Sequence, residues 1–403
     1  MSSRSNVLAI HGGRPYRSEP MPARIAFGEE EQRMIAECLA HYRERKEDPG
    51  FQGPFEQRYC DAFAASLGGG FADAVATGTV AVFLALAALG LPKGSEVICS
   101  PITDPGTLSA IILNGLTPRL ADSTLDSFNM GVEQFRARLT PAVKAVVVVH
   151  SLGRAADIEA IVGCAAEHGV RVVEDCSQAH GASLGGRRVG AFGDIAAFST
   201  MYRKAHITGA VGGVVFGRNQ DLYRLALAHA DRGKGRWIEG FDDRDPRGFL
   251  FPALNLHTDE LSCAVGVASL GRLGDTIARR LAFVRAVTGA IEAECSLCRP
   301  YGYCPGDSPF VYPIMVEAAR LSSSVVEFAE AVRAEGVPLN ANYRYVAAEW
   351  PFLRPYLADG FDTPNARAVR DASFCLYLNE KYGEQEAADC AGSIAKVEAA
   401  FAV

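Results

Sequence analysis

Three short segments of the chain carry residue types that could act together. The first is Ala76-Thr77-Gly78-Thr79, set between a strand-like run and a strongly helical one. Gly78 lets the backbone approach an anion closely. Thr79 sits where a helix begins, and free N–H groups and the helix dipole favour phosphate there. The second is VVEDCSQAHGA, where Asp175 closes a buried strand and Gln178 and His180 follow. A carboxylate in that place could pair with a ring nitrogen and keep it protonated, because an opposite charge raises the nitrogen's pKa. The third is FSTMYRKAHITGAVGGVVF, in which Lys204 lies in a short link between two apolar strands. No carboxylate flanks it, while Arg203 and His206 are close. Such a setting lowers a lysine pKa and favours an amine that forms a Schiff base. The glycines at 209, 212 and 213 leave room for a bulky ligand.

Taken singly, each segment has an ordinary reading. Thr79 could be a plain N-cap, Asp175 a cap in a turn, and Lys204 a solvated loop lysine. Their order in one chain says more. A phosphate-type turn, then a strand-end aspartate, then a lysine supply the anion cradle, pyridinium partner and Schiff-base amine that a pyridoxal phosphate site requires.

The elements around them form a compatible scaffold. Between residues 70 and 220, apolar runs (FADAVATG, EVICS, TPRLAD, VKAVVVVH, VRVVE, DIAAFST, GGVVF) alternate with helical patterns (TVAVFLALAALG, PGTLSAIILNG, DIEAIVGCAAEHG). Apolar strands with helical crossovers predict an α/β fold with a mixed, mostly parallel sheet covered on both faces. Ligands of such sheets bind at the carboxyl ends of the strands, where all three segments fall. A long helical pattern spans Thr258 to Glu292. A strand-like SPFVYPIMV, a helix at Val325–Glu335 and an amphipathic helix at Glu384–Phe401 follow. These predict a smaller α/β domain beginning near residue 265–300. The division expected is 1–265 for a large domain with the N-terminal segment, and 266–403 for the small one. The charged, Gly-rich stretch 231–248 interrupts this order and is too long for an ordinary connection.

Composition excludes several classes. The chain has 403 residues, is 49% hydrophobic and carries a net charge of -7. That is enough for a sizeable core, and the balance does not suit nucleic acid. No apolar run reaches the roughly 18 residues a membrane span needs. MSSRSNVLAIHGG lacks a leader's apolar core and cleavage site, so a cytosolic enzyme is expected. The 11 cysteines are read as reduced thiols. Cys295, Cys298 and Cys304 form the one tight group. They lack a fourth ligand at zinc-site spacing, so no metal is expected. GTVAVF does not supply a dinucleotide-binding glycine pattern.

With these residues in view, the chain resembles the DegT/DnrJ/EryC1/StrS family of sugar aminotransferases. The likeness runs from LAIHGGRPYRSEPMP to the final helix and is closest from Gly53 to Leu270. VVEDCSQAHGASLGGRRVGAFGDIAAFS, Lys204, the glycine pair at 212–213 and LNLHTDELSCAVGVASLGRL carry it. The resemblance implies a pyridoxal-phosphate-dependent transferase of the aspartate aminotransferase-like fold type I. Lys204 matches the lysine that binds the cofactor. Asp175 matches the acid on the pyridine nitrogen, and Gln178 the residue near the ring oxygen. Gly78, Thr79 and Ser199 match phosphate-binding positions. Asn255 matches an asparagine that reaches the phosphate from the neighbouring subunit, which implies a homodimer with shared sites. Three positions depart from the family. Asp104, in PITDPGT, stands where an aromatic often stacks on the ring. Val211 replaces an acid, and His257 an arginine.

The expected reaction is transamination from an amino acid, L-glutamate, to a keto-sugar that is nucleotide-linked or acidic. Related sugar dehydratases replace the lysine with histidine, and this chain keeps Lys204 while placing His206 nearby. A non-catalytic regulator of the same fold is the other alternative. In the 231–248 stretch, Arg232, Lys234 and Arg236 would share one side if the backbone were extended. With His257, they are candidate contacts to an anionic substrate.

Overall fold

The computed structural model describes residues 7–403. The first six residues, part of the stretch read for a leader, lie outside the described residues. All seven predicted strands form one sheet: β1 Phe71–Val75, β2 Glu96–Cys99, β3 Thr117–Leu120, β4 Val143–Val149, β5 Arg171–Asp175, β8 Ile195–Ser199 and β9 Gly213–Gly217. A small hairpin of β6 Ser183–Leu184 and β7 Arg187–Arg188 lies between β5 and β8. The strand order is β1-β9-β8-β5-β4-β2-β3. Only β9 runs antiparallel to its neighbours, because the link from β8 is too short for a helical crossover. The central strands are apolar on both faces because helices cover both. Every residue of β4 is buried except Lys144, and each valine so buried contributes roughly 1.5–3 kcal/mol.

Helices α3 Gly78–Ala88, α4 Pro105–Leu113 and α7 Gln220–Ala230 pack on the face that carries Val75, Val147 and Val215. The opposite face takes α1 Glu29–Arg45, α2 Pro54–Ser66 and α8 Glu260–Gly271 near β1, and α5 Val132–Arg136 and α6 Ile158–Glu167 near β4. The predicted 258–292 helix is two helices, α8 and α9 Leu273–Glu294, divided at Arg272. Gly271 and Gly274 flank the break, and glycine is a poor helix former.

A second, antiparallel sheet is ordered β10-β11-β13-β12, from β10 Cys298–Pro300, β11 Tyr312–Val316, β12 Leu339–Asn340 and β13 Ser373–Leu376. Helices α9, α10 Val325–Ala334 and α12 Glu384–Phe401 share a core with it, and α11 Pro364–Asp371 packs at its other side. The N-terminal segment joins this unit rather than the large sheet. Leu8 enters its core, and the N–H groups of Ala9 and Tyr16 donate to the buried Glu335 carboxylate at 2.8 Å each. A segment without its own periodicity has docked where a buried carboxylate needed donors. Among the described residues, no helix is long and apolar enough to cross a membrane.

The 231–248 stretch is not extended. Arg232 and Gly233 adopt left-handed φ values of 57° and 81°. Leu250 N–H donates to the Gly233 carbonyl at 2.7 Å, so the stretch folds back on itself. The reason is Asp231, only 1% exposed, which gathers the cations around one buried charge.

Candidate active site

Strand register brings the three chemical segments together. Gly213 of β9 faces Val75 of β1 on one side and Ser199 of β8 on the other. The turn after β1 and the end of β8 therefore converge over a glycine. A Cβ on Gly78 would fall on the Ser199 Cβ, and one on Gly213 on the Thr77 carbonyl. The close approach requires glycine at both positions. The helix cap is Thr77, not Thr79: its Oγ1 accepts the Val80 N–H at 3.1 Å. Thr79 is left exposed on a cavity wall. The first N–H groups of α3 have no partner within the helix, so this wall is a ready anion cradle.

The cavity has a volume of about 770 Å³ and takes in Gly78, Thr79, Asp104, Asp175, Gln178, Ser199, Lys204 and Val211. Asp175 is 4% exposed. Its Oδ2 accepts from Thr107 Oγ1 at 2.8 Å and its Oδ1 from Ser177 N–H at 3.1 Å. It is thus both a turn cap and a carboxylate facing the cavity. Gln178 is clamped at both ends of its amide. Its Oε1 accepts from Leu152 N–H at 2.7 Å, and its Nε2 donates to the Tyr343 hydroxyl at 3.3 Å.

Lys204 sits in a loop with a closed neck. Thr200 N–H donates to Gly212 O, Thr208 N–H donates to Thr200 O, and the two threonine hydroxyls lie 2.6 Å apart. A Cβ at Gly212, whose φ is +151°, would strike both hydroxyls. Burial pushes the Lys204 amine down to about 8, with Asp175 and Asp104 pulling the other way. The direction agrees with the sequence reading, but the cause differs. Burial does the work rather than Arg203 and His206, and two carboxylates do face the amine. Its Nζ lies 4.5 Å from the Phe310 ring centroid. His206 is turned away from the cavity: its Nε2 lies 2.6 Å from the Tyr59 hydroxyl and its Nδ1 3.2 Å from Ser269 Oγ. Burial holds the His180 imidazole down at about 4, so it is neutral, with Nε2 bonded to the Ser199 carbonyl at 2.7 Å.

These residues fit pyridoxal phosphate. A glycine cradle at a helix start, an anionic strand end and a buried amine share one cavity, each with capacity left to bind. The residues matched by the family model for the DegT/DnrJ/EryC1/StrS aminotransferases are 28–395. The chain belongs to this family. Its cofactor is pyridoxal 5′-phosphate, and it is an aminotransferase. A GDP-perosamine synthase of Escherichia coli O157:H7 is 34% identical over 229 residues, which cover 57% of this chain and 61% of that protein. A protein of Streptoalloteichus tenebrarius, provisionally named an L-glutamine:3-amino-2,3-dideoxy-scyllo-inosose aminotransferase, is 30% identical over 381 residues, 88% of this chain and 87% of that one. The X-ray structure of an aminotransferase from Psychrobacter cryohalolentis superposes with a TM-score of 0.85 at 26% identity, covering 95% of this chain and 99% of that one. The fold is that of the pyridoxal-phosphate-dependent transferases.

Other family positions fall elsewhere. Asp104 caps α4 through Gly106 N–H at 2.9 Å and is exposed on the cavity wall, where the family often has an aromatic ring. Asn255 is exposed and outside this chain's cavity, its backbone bridged to Asp231. Arg232, Lys234, Arg236 and His257 are outside it too. They surround Asp231, with contacts of 2.8, 3.4, 2.9 and 3.4 Å. His257 also stacks on Phe51 at 4.6 Å between centroids. The sequence reading missed what the N-terminal and C-terminal segments bring. Arg24 lines the cavity, donates to the Lys204 carbonyl at 2.7 Å and pairs with Glu380 at 3.0 Å, pinning the lysine loop. Phe310, Tyr343 and Tyr345 line the cavity. No local motif announces such residues; only the packing of distant segments does.

Proposed function

We propose that this enzyme transfers the amino group of L-glutamate to a keto-sugar, nucleotide-linked or acidic, and works as a homodimer in the cytoplasm. The observation that carries the reading is Lys204: a buried amine with a lowered pKa, held in a closed loop and sharing one cavity with Asp175 and the α3 N-terminus. Bound pyridoxal phosphate supplies an electron sink for the amino acid's Cα. Lys204 is the residue for covalent attachment. The same Nζ, buried and with its pKa lowered, would be the general base and acid that moves the donor's Cα proton. Asp175 holds the ring nitrogen protonated. Gln178, immobilised by Leu152 and Tyr343, orients the ring oxygen. Gly78, Thr79 and Ser199 bind the phosphate together with the partner subunit's Asn255. Asp104 lies on the face where a stacked ring would otherwise sit.

The names of the relatives support a sugar or cyclitol acceptor and a donor of the glutamate–glutamine type. Eleven unpaired cysteines agree with a reducing compartment. A dehydratase reading requires a histidine as the active base, and His206 is committed to Tyr59 and Ser269 instead. The test separates the half-reactions. The yellow holoenzyme mixed with glutamate alone should lose its carbonyl-form absorbance and release one 2-oxoglutarate per site. A panel of nucleotide-linked and acidic keto-sugars should then restore it. No 2-oxoglutarate from glutamate, with glutamine active instead, would correct the donor. No response to either donor would overturn transamination.

A further inference from the structure

Asp73 is an unusual residue for its place. It occupies the middle of β1, among Phe71, Ala72, Ala74 and Val75, and is 3% exposed. Charged side chains are rarely buried unless paired. Yet Asp73 Oδ2 has no hydrogen-bond partner. β1 is the edge strand of the sheet, and at that edge lies a separate cavity of about 240 Å³ between α2 and α7. Asp73 lines it, together with Gln52, Glu56 and Tyr223. Gln52 Oε1 is likewise buried without a partner. Glu56 accepts only the Gln52 N–H, at 2.7 Å, and is 4% exposed.

The neighbourhood does not neutralise these groups. Of the other carboxylates nearby, Asp231 and Glu260 are already satisfied, and Asp61, also on the cavity wall, accepts from Gln57 Nε2 at 2.9 Å. Asp231 has its cluster of cations. Glu260 accepts from Tyr42 Oη and the N–H groups of Gly53, Phe55 and Glu56 at 2.8–3.1 Å. Arg236, whose charge reaches both Asp73 and Glu56, is spent on Asp231 and Asp243 at 2.9 Å each. Burial drives the Asp73 carboxyl far up, with Glu56 adding to the rise, and pushes Glu56 up to about 7. Two buried carboxyls that share one cavity wall with the Gln52 amide oxygen therefore lack a positive partner.

We propose that this cavity binds one hard divalent cation, calcium by preference, through Asp73, Glu56 and the Gln52 amide oxygen. Carboxylate and amide oxygens are the ligands such ions take. Calcium tolerates an irregular oxygen set, whereas magnesium demands a near-ideal octahedron and holds its waters. Zinc prefers nitrogen and thiolate, and the only sulfur on the wall, Cys60, is kept a neutral thiol by burial. The ion would tie the start of α2 to the β1 edge, away from the phosphate turn. Its role is binding and structural, independent of which sugar the enzyme aminates.

The test uses the cofactor-loaded enzyme after chelation and dialysis. Calcium at about a hundred times its Kd should raise the melting temperature by roughly 3–5 °C. Isothermal titration should give one site per chain. Magnesium should act more weakly, and potassium or zinc at equal concentration should not substitute. Asp73→Asn should abolish the shift. Asp73→Val, which suits a strand, should abolish it too while keeping the fold, as judged by cofactor absorbance and circular dichroism. A wild type indifferent to every divalent ion, with Asp73→Asn melting higher, would mean that Asp73 is buried protonated, and would overturn the proposal. A calcium shift that survives in both variants would overturn it as well.

Discussion

The carboxyl end of the large sheet and its β1 edge each bury an aspartate, and they partner it in opposite ways. Asp175, at the end of β5, has two donors, Thr107 and Ser177, and one side open to the large cavity. Asp73, in the middle of β1, has no partner on its buried oxygen and faces a small polar cavity. Glu260 marks the structural limit, with four donors and no opening. A fully satisfied carboxylate fixes structure. A half-satisfied one, oriented but open, is poised for a ligand with a positive end. An unsatisfied one signals a missing partner, whether a proton or an ion. At the carboxyl end, a lowered lysine and a helix start complete the picture. At the β1 edge the companions of Asp73 are oxygen groups, Glu56 and the Gln52 amide, with no amine, so the two regions should respond very differently to substitution.

The sharpest break of this comparison is at Lys204. Lys204→Ala should lower turnover at least about a thousandfold, since the nucleophile and proton carrier vanish together. Borohydride reduction of the wild type should place the pyridoxyl group on Lys204 by peptide mapping; label on another lysine would refute the assignment. With its amine pushed down to about 8, wild-type apoenzyme should capture cofactor about tenfold more slowly per pH unit below that value, where the amine is protonated, and level off above it. Asp175→Asn comes next. It should keep the cofactor but lose about a hundredfold or more in turnover, because the ring nitrogen loses its counter-charge. Near-normal turnover would reduce Asp175 to the turn cap it also is.

How far these roles were legible differs residue by residue. Lys204, Asp175 and Gly78 could be read because their chemistry is local: a lysine between apolar strands, an acid at a strand end, a glycine before a helix. All seven strands of the main sheet were readable from unbroken apolar runs. The capping threonine was misassigned from 77 to 79, since both neighbours of Gly78 are threonines and only backbone geometry distinguishes them. Helices α1, α2 and α7 and the short strands of the second sheet carried weaker patterns. Arg24, Phe310 and Tyr343 could not be found at all, because tertiary packing alone brings them to the cavity. Asp73 did leave a signal, a charged residue inside an apolar strand, but its lack of partners is visible only in three dimensions. The arm's alternating cations would share one face only if the backbone were extended. The buried charge of Asp231 folds it instead.

A finer test asks whether the support of Asp175 matters as well as its charge. Thr107 Oγ1 donates to Asp175 Oδ2 and accepts from Thr103 Oγ1 at 2.8 Å. Thr107→Val keeps the shape and removes one hydrogen bond to a charged group, worth about 1.5–3 kcal/mol. Turnover should fall about tenfold with the cofactor still bound, because the carboxylate loses one of the two donors that orient it. Unchanged turnover would mean that Ser177 N–H alone positions Asp175.

The smallest expected effect concerns the arm. Arg232 and Arg236 are the exposed members of its cationic cluster, with side chains 44% and 37% accessible. Arg236 cannot be removed cleanly, because it bridges Asp231 and Asp243. Arg232 can. Without it Asp231 keeps Lys234, Arg236 and His257, so the buried charge is not abandoned and the fold should hold. Its guanidinium spends Nε and one amino nitrogen on Asp231 at 2.9 and 2.8 Å, leaving part of its fork for a second anion. If the arm meets the substrate across a dimer, Arg232→Ala should raise KM for the acceptor about threefold, the size of a solvent-exposed ion contact. The glutamate half-reaction should be unaffected, because that step precedes the acceptor. Added salt should erase the difference between variant and wild type. Equal losses in both half-reactions would trace the effect to the fold around Asp231. No loss in either would leave the arm's cations the single task the structure already gives them, neutralising Asp231.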